Sequence, residues 1–279
     1  MNTATIIKNS DSIAIGGFDG LHVGHQHLFA QLGKHGCVVV IDSGFANLTP
    51  KKTREKFTHY PLYYFTLDDI RHLDADGFIS LLKEEFPHLK KIVVGYDFHF
   101  GKERAHSHKD LKSRFDGEVI VVDEVKVDGE SVHSCTIRKK LSHGEIKSAN
   151  ALLGRNYTIN GKHIKGQGIG AKELVATINL HVSDFMLPKE GVYTTLTRID
   201  GEEHFHPSIS FIGHRNTTDG SFAVETHILD AKIECTESAS ISFVAFVREN
   251  RKFDSIDALK KQIKKDIEIS KRELKMLQL

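Results

Sequence analysis

The segment Ile15–Phe29, IGGFDGLHVGHQHLF, sets four glycines and three histidines in fifteen positions, directly after the apolar run Ser12–Ile15. Three readings compete for it. A metal site would use His22, His25 and His27, but zinc sites draw on thiolates or a carboxylate at defined spacing, and none is paired with these imidazoles. A plain glycine-rich turn would leave the histidines in solvent. A phosphate cradle has a mechanism: Gly16, Gly17, Gly20 and Gly24 let the backbone approach a polyphosphate, and the following helix offers unpaired N–H groups and a positive dipole end. His22 and His25, one turn apart, can then donate to phosphoryl oxygens as charge builds in a transition state. The order strand, G-x-FDG-x-H-x-GH, helix is far more specific than a lone GxGxxG.

Working outward, the first half alternates. Strand-like runs stand at 12–15, 37–41, 91–95 and 118–122, each short and continuously apolar, as strands buried on both faces read. Between them, Leu28, Phe29 and Leu32 recur at helix spacing in a run that stops at Gly36. Phe78, Leu81, Leu82 and Phe86 do the same before Pro87. This alternation predicts an open parallel sheet, whose ligands sit beyond the carboxyl ends of the strands. A last helical pattern, CTIRKKLSHGEIKSANALLG, closes the half. From about Asn156 the texture changes to glycine-punctuated extended segments, the pattern of a small antiparallel barrel. A helix from about Ser255 carries Ile256, Leu259, Ile263, Ile267 and Leu274 on one stripe. The fold class expected is α/β: a Rossmann-like domain over 1–153, then a β-barrel domain with a C-terminal helix over 154–279.

Lys plus Arg number 38 and Asp plus Glu 37, so no overall field favours nucleic acid or an anionic membrane, and neither partner is expected. An anionic ligand must therefore be held by a local site. Cys37, Cys135 and Cys235 are odd in number and widely spaced, which argues against a disulfide framework and a thiolate zinc site. The first residues lack a basic segment followed by an apolar one, and no apolar run reaches spanning length, so a cytoplasmic protein is expected. Oligomeric state is left open.

The motif GGFDGLHVGHQHL resembles the HxGH nucleotidyltransferases. Further along, VVGYDFHFGKERA (93–105) and HSCTIRKKLSHGEIKSANALLG (133–154) resemble the GxDFxFG and SSTxIR segments of bacterial bifunctional riboflavin kinase/FMN adenylyltransferases, the FAD synthetases. GIGAKELVATINL (168–180), GVYTTL (191–196), SFIGHRNT (210–217), VETHILD (224–230) and FVRENRKFDSIDALKKQIKKD (246–266) follow in the family's order, so the resemblance covers nearly the whole chain.

It implies two reactions with ATP as a substrate of each: riboflavin to FMN, then FMN to FAD with release of pyrophosphate. For the adenylyl transfer it implies His22 and His25 as the stabilising pair, and a phosphate loop of Gly16, Gly17, Phe18, Asp19 and Gly24. Asp19 organises the loop or a metal-bound water, or caps the helix. Ser134, Thr136 and Arg138 stand where the family contacts phosphates, and Thr136 also suits a helix N-cap. Asp97 and Phe98 line the nucleotide or flavin pocket, or form a strand-end turn with a packed ring. For the kinase step the resemblance implies a phosphate loop at Gly166, Gly168 and Gly170, Thr177 and Asn179 at Mg²⁺, and Glu225 as general base.

The match has departures. Gly17 replaces the family's Asn, and Cys135 its second Ser. Ala176 replaces the Pro of PTAN, and Ala171 an Arg. DSGFANLTP (42–50) replaces a PHP segment. Two alternatives therefore stand beside the bifunctional enzyme: an HxGH transferase with another phosphate acceptor, and a flavin- or nucleotide-binding protein with degenerate kinase activity.

Overall fold

A computed structural model describes residues 7–165, 176–217, 219–231 and 235–276. Its contacts divide the chain into two compact units, Met1–Ser134 and Cys135–Leu279.

The first unit is built on five parallel strands: β1 (Ser12–Gly16), β2 (Gly36–Asp42), β3 (Leu62–Thr66), β4 (Lys91–Gly95) and β5 (Glu118–Val122). Their order is β3-β2-β1-β4-β5. The chain leaves β1 toward one edge and returns to the other side at β4, so the loop after β1 lies at the topological switch point, where open α/β sheets bind ligands. Because side chains alternate, each apolar strand feeds two cores. Ala14, Val38, Val40 and Val93 meet Leu28, Phe29 and Leu32, in and after helix α1 (Val23–Phe29). Ile13, Ile15, Val39, Ile92 and Val94 meet Phe78 and Leu82 of α2 (Ala75–Glu85) and Leu111 of α3 (His108–Arg114).

Two expectations needed correction here. The helix after the motif ends at Phe29 instead of running toward Gly36. The chain continues through i→i+3 turns, Gln31 N–H to Leu28 and Leu32 N–H to Phe29. The apolar spacing persisted because those turns still bury Leu32. No strand signal marks β3 in the sequence: LYYFT lies at the sheet edge, is mostly half-buried and is polar at its end, so it lacks the apolar run of a central strand.

In the second unit, α4 (Ser134–Ser142) and α5 (Ile146–Leu153) replace the single helical pattern read from sequence, because the chain turns through Gly144 at φ +77°. These helices group with the barrel: Asn150 donates to the Phe243 carbonyl at 2.9 Å and accepts the Tyr157 N–H at 2.8 Å. The barrel closes six antiparallel strands, β6 (Thr158–Ile164), β7 (Ile178–His181), β8 (Gly191–Ile199), β9 (His206–His214), β10 (Phe222–Ile228) and β11 (Ser238–Glu249), in the order β6-β7-β10-β9-β8-β11. Its interior is partly apolar, with Ile159, Tyr193, Ile241 and Phe243 buried, and partly a cluster of buried hydroxyls from β8, β9 and β10. Helix α6 (Ile256–Met276) carries the expected apolar stripe, but its deepest positions include Asp266 and Ser270. Asp266 accepts from Arg248 Nε at 2.9 Å, and Ser270 accepts from Thr194 at 3.1 Å. All three cysteines are free thiols.

Candidate active sites

The loop after β1 is a strained turn fixed from several sides. Phe18 (φ +47°), Gly20 (φ +85°) and Leu21 (φ +38°) are left-handed, a conformation that side chains other than glycine's resist and that surrounding contacts must enforce. The Phe18 ring is buried edge-on to His25 and Phe29. Gly20 N–H donates to Thr49 Oγ1 at 2.7 Å, and Ser134 Oγ donates to the Asp19 carbonyl at 2.7 Å. Asp19, 8% exposed, accepts backbone N–H groups of Asn47 (3.2 Å), Leu48 (3.1 Å) and Thr49 (2.9 Å). Its carboxylate therefore ties the motif to the segment 42–50.

At the start of α1 the N-cap is His22, whose Nδ1 accepts the His25 N–H at 3.3 Å. With Nδ1 accepting, a neutral His22 ring carries its hydrogen on Nε2. The two imidazoles stack with centroids 3.5 Å apart. Gly24 makes this possible, since a Cβ there would stand 3.2 Å from His22 Nδ1 and 3.3 Å from Cε1. At the carboxyl end of β4, Asp97 is exposed, whereas Phe98 is buried and stacks on Phe100 at 5.7 Å. Beside them the Tyr96 hydroxyl lies 3.2 Å from His133 Nε2. Desolvation, followed by the Asp97 and Glu124 carboxylates, pushes the Tyr96 phenol up, so it stays neutral.

A second constellation lies on the barrel. Asn179 of β7 and Glu225 of β10 are register partners, so their side chains are neighbours. Val224 and Thr226 are buried in the interior, and alternation turns Glu225 to the outer face. Between the two residues sits the Arg215 guanidinium. Its Nε donates to Glu225 Oε1 at 2.8 Å, and Nη2 donates to the same oxygen and, at 2.7 Å, to Asn179 Oδ1. Asn179 Nδ2 donates in turn to the Thr177 carbonyl at 3.5 Å, and the Ala176 carbonyl lies 2.7 Å from His227 Nδ1.

Two family models match the chain, FAD synthetase over residues 53–136 and riboflavin kinase over 153–274. A bifunctional riboflavin kinase/FMN adenylyltransferase of Buchnera aphidicola (subsp. Acyrthosiphon pisum) is 30% identical, over 94% of this chain and 92% of its own length. The family is settled by that coverage. This chain is a member of the bifunctional riboflavin kinase/FMN adenylyltransferase family. The Listeria monocytogenes member is 29% identical over 91% of this chain and 89% of its own. A solved Streptococcus pneumoniae structure, described as a macrolide-efflux protein, superposes with a TM-score of 0.84 at 28% identity, covering 97% of both chains. Among the described residues of this chain, no helix is long and apolar enough to cross a membrane.

For a member of the riboflavin kinase/FMN adenylyltransferase family, the residues expected from sequence fall into groups. Gly16, Gly17, Phe18, Asp19, His22, Gly24, His25 and Ser134 come together around one turn. Asp19 does not cap α1; His22 does. Thr136 lies inside the first turn of α4, which begins at Ser134, and so is not its N-cap. Arg138 is on the same helix, and both belong to the second compact unit. Phe98 is a packed ring of the sheet core. Thr177, Asn179 and Glu225 come together, while Gly166, Gly168, Gly170 and Ala171 lie outside the described residues. Three contributors were not singled out from sequence: Thr49, Tyr96 and Arg215. Each lies in or beside a quoted segment, but nothing local marks Thr49 or Arg215, because their partners are 29 and 10 residues away.

Proposed function

We infer that this chain makes FMN from riboflavin and ATP and then FAD from FMN and a second ATP, releasing pyrophosphate. Membership along nearly its whole length carries this reading, and it disfavours an HxGH transferase with another acceptor, which has no need of a riboflavin kinase barrel. We assign adenylyl transfer to residues 1–153 and phosphoryl transfer to 154–279.

In adenylyl transfer an FMN phosphate oxygen attacks the α-phosphorus of ATP, and the bond to the bridging oxygen of pyrophosphate breaks. No covalent enzyme intermediate is needed; alignment and stabilisation of the developing charge suffice. His22 and His25 supply the donors, and the glycine turn supplies close backbone approach. Asp19 holds that turn against 47–49.

In phosphoryl transfer the riboflavin 5′-hydroxyl attacks the γ-phosphorus of ATP, the bond to the β,γ-bridging oxygen breaks and ADP leaves, and Glu225 takes the hydroxyl proton. Mg²⁺ would enter with the nucleotide. The donor set fits it: Thr177 and Asn179 offer neutral oxygens, an amide oxygen keeps a second lone pair beside its Arg215 bond, and this ion is usually held by few protein ligands plus substrate phosphates. Bound there, it would neutralise phosphate charge.

The test is a chromatographic product assay with riboflavin and, separately, FMN as substrate, each with ATP and Mg²⁺. FMN followed by FAD is expected from the first, and FAD alone from the second. Absence of both products from a folded preparation would remove the assignment.

A further inference from the structure

We propose that Arg215 is the positioning residue of the kinase reaction, a guanidinium clamp that fixes the proton-accepting carboxylate of Glu225 and the amide of Asn179 in one arrangement. The inference rests on the reading of Glu225 as general base.

The geometry is specific. Arg215 and Glu225 are both largely buried, with side chains 18% and 20% exposed, so their pairing is screened less than a surface ion pair. Both Arg215 donors to Glu225 converge on Oε1. Oε2 makes no hydrogen bond among the described residues, so the clamp holds one oxygen and leaves the other to meet a substrate hydroxyl. A fork engaging both oxygens would instead have occupied the carboxylate.

The same guanidinium fixes Asn179. Nη2 donates to Asn179 Oδ1, which turns the amide N–H toward the Thr177 carbonyl. One planar group thereby sets the base on β10 and the oxygen donor on its paired strand β7.

Arg215 is itself held. Its Nη1 donates to Ser221 Oγ at 2.8 Å, and its backbone N–H donates to the Ser221 carbonyl at 2.9 Å. Ser221 Oγ is in turn bonded to the Asp219 carboxylate at 2.8 Å. The β9–β10 connection therefore works as a mount for the guanidinium. A lysine could not replace it, because an ammonium on a flexible stem lacks the rigid planar fork that reaches three acceptors at fixed angles.

The test uses the full chain and four variants: Arg215→Met, Arg215→Lys, Glu225→Gln and the Arg215→Met/Glu225→Gln double. The kcat and the KM for riboflavin and for ATP are measured for FMN formation. FAD formation from FMN on the same preparations reports folding of the rest of the chain. Arg215→Met is expected to lower kcat about 100-fold, the scale of a small misplacement of a reacting group, with both KM values little changed. The double variant is expected to fall below Glu225→Gln by far less than the Arg215→Met factor, since only Asn179 is then left for the guanidinium to position. Arg215→Lys keeps the positive charge if the methionine variant fails to fold, and should still lose at least about tenfold in kcat.

The clamp is overturned if the double variant falls below Glu225→Gln by the full Arg215→Met factor. It is overturned equally by a raised KM for ATP at unchanged kcat, which would make Arg215 a phosphate ligand, or by wild-type kcat in Arg215→Lys. Wild-type kcat in Glu225→Gln would instead remove the base assignment under the proposed function, and the clamp with it.

Discussion

The imidazole of His25 stacks on that of His22, with centroids 3.5 Å apart and planes within 18° of parallel. The pair is not a chance of helix spacing alone. His22 caps α1 by accepting the His25 N–H, and Phe18 stands edge-on to His25 with centroids 5.1 Å apart. The two rings are thus set as one unit at the switch point of the sheet.

From that coupling, His25→Ala should lower FAD formation from FMN by about 10²–10³-fold, the usual loss when a preorganised donor to a developing oxyanion is removed. FMN formation by the same protein should stay at wild-type rate. The His22→Ala/His25→Ala double should be little slower than either single change, since groups that act together are not additive. Loss of FMN formation in parallel with FAD would point to general misfolding and sink the assignment.

Asp19 makes a different prediction, because its carboxylate spends its hydrogen bonds on Asn47, Leu48 and Thr49. Asp19→Asn keeps the shape but removes the charge and leaves amide hydrogens facing backbone donors. It should destabilise the first unit by about 2 kcal/mol, the scale of hydrogen bonds to a buried charge. Urea denaturation followed by far-ultraviolet circular dichroism measures this. A shift confined to activity, with stability unchanged, would mean that Asp19 works on substrate instead.

Much of this architecture was legible in the chain itself, and the parts that were not share a cause. Four of the five sheet strands announce themselves as short β-branched runs: β1, β2 and β4 are buried on both faces, and the edge strand β5 is only half-buried but still carries the unbroken aliphatic run 119–122. LYYFT does not, because its two tyrosines and terminal threonine break the aliphatic run that still marks the other edge strand, EVIVV. The HxGH histidines are readable because they are neighbours in sequence. Thr49 is not: it reaches the motif from 29 residues away through an otherwise unremarkable loop. Arg215 stood within the quoted segment SFIGHRNT, yet only the register of β7 against β10 gives it two partners. Periodicity reports burial, and local motifs report backbone shape; side chains that act across strands appear only when the strands are aligned.

The glycines of the motif separate into permissive and required positions. A Cβ at Gly17 would meet nothing nearer than the Ile41 carbonyl at 3.9 Å, so Gly17→Asn, the residue usual in the family, meets no obstruction at its first side-chain carbon. FAD formation should not fall. At Gly24 the added carbon of alanine would press on the His22 ring, and a displaced ring should cost about tenfold in FAD formation with little change in melting temperature. Equal activity in the two variants would show that the His22 ring position does not matter.

The three thiols should differ sharply in reactivity. Cys37 is fully buried in β2, and that burial pushes its thiol up to about 12; Cys235 is raised for the same reason. Cys37 therefore remains protonated through pH 7–9 and both thiols are buried, while Cys135 is exposed at the start of α4. Iodoacetamide labelling of native protein, read by peptide mass spectrometry, should mark Cys135 alone. All three should label in denaturant. Labelling of Cys37 in the native state would contradict the tight packing of the first unit's core.

Inside the barrel, five hydroxyls close a ring. Thr195 bonds Ser208 and Ser210 at 2.8 Å, Thr197 bonds Ser208 at 2.8 Å and Thr226 at 2.7 Å, and Ser210 donates to Thr226 at 2.9 Å. Each hydroxyl can give one hydrogen and accept one, so the ring satisfies itself in a space closed to water. Thr197→Val has nearly the same shape but opens the circle, leaving one neighbour without its acceptor and the other without its donor. An unpaired buried polar group costs about 1–3 kcal/mol, so the barrel should lose about 2 kcal/mol or more. A lower urea midpoint at unchanged m-value, with FAD formation from FMN preserved, is the expected signature. A change below about 0.5 kcal/mol, the scale of an ordinary surface substitution, would mean that the ring is not a closed circuit.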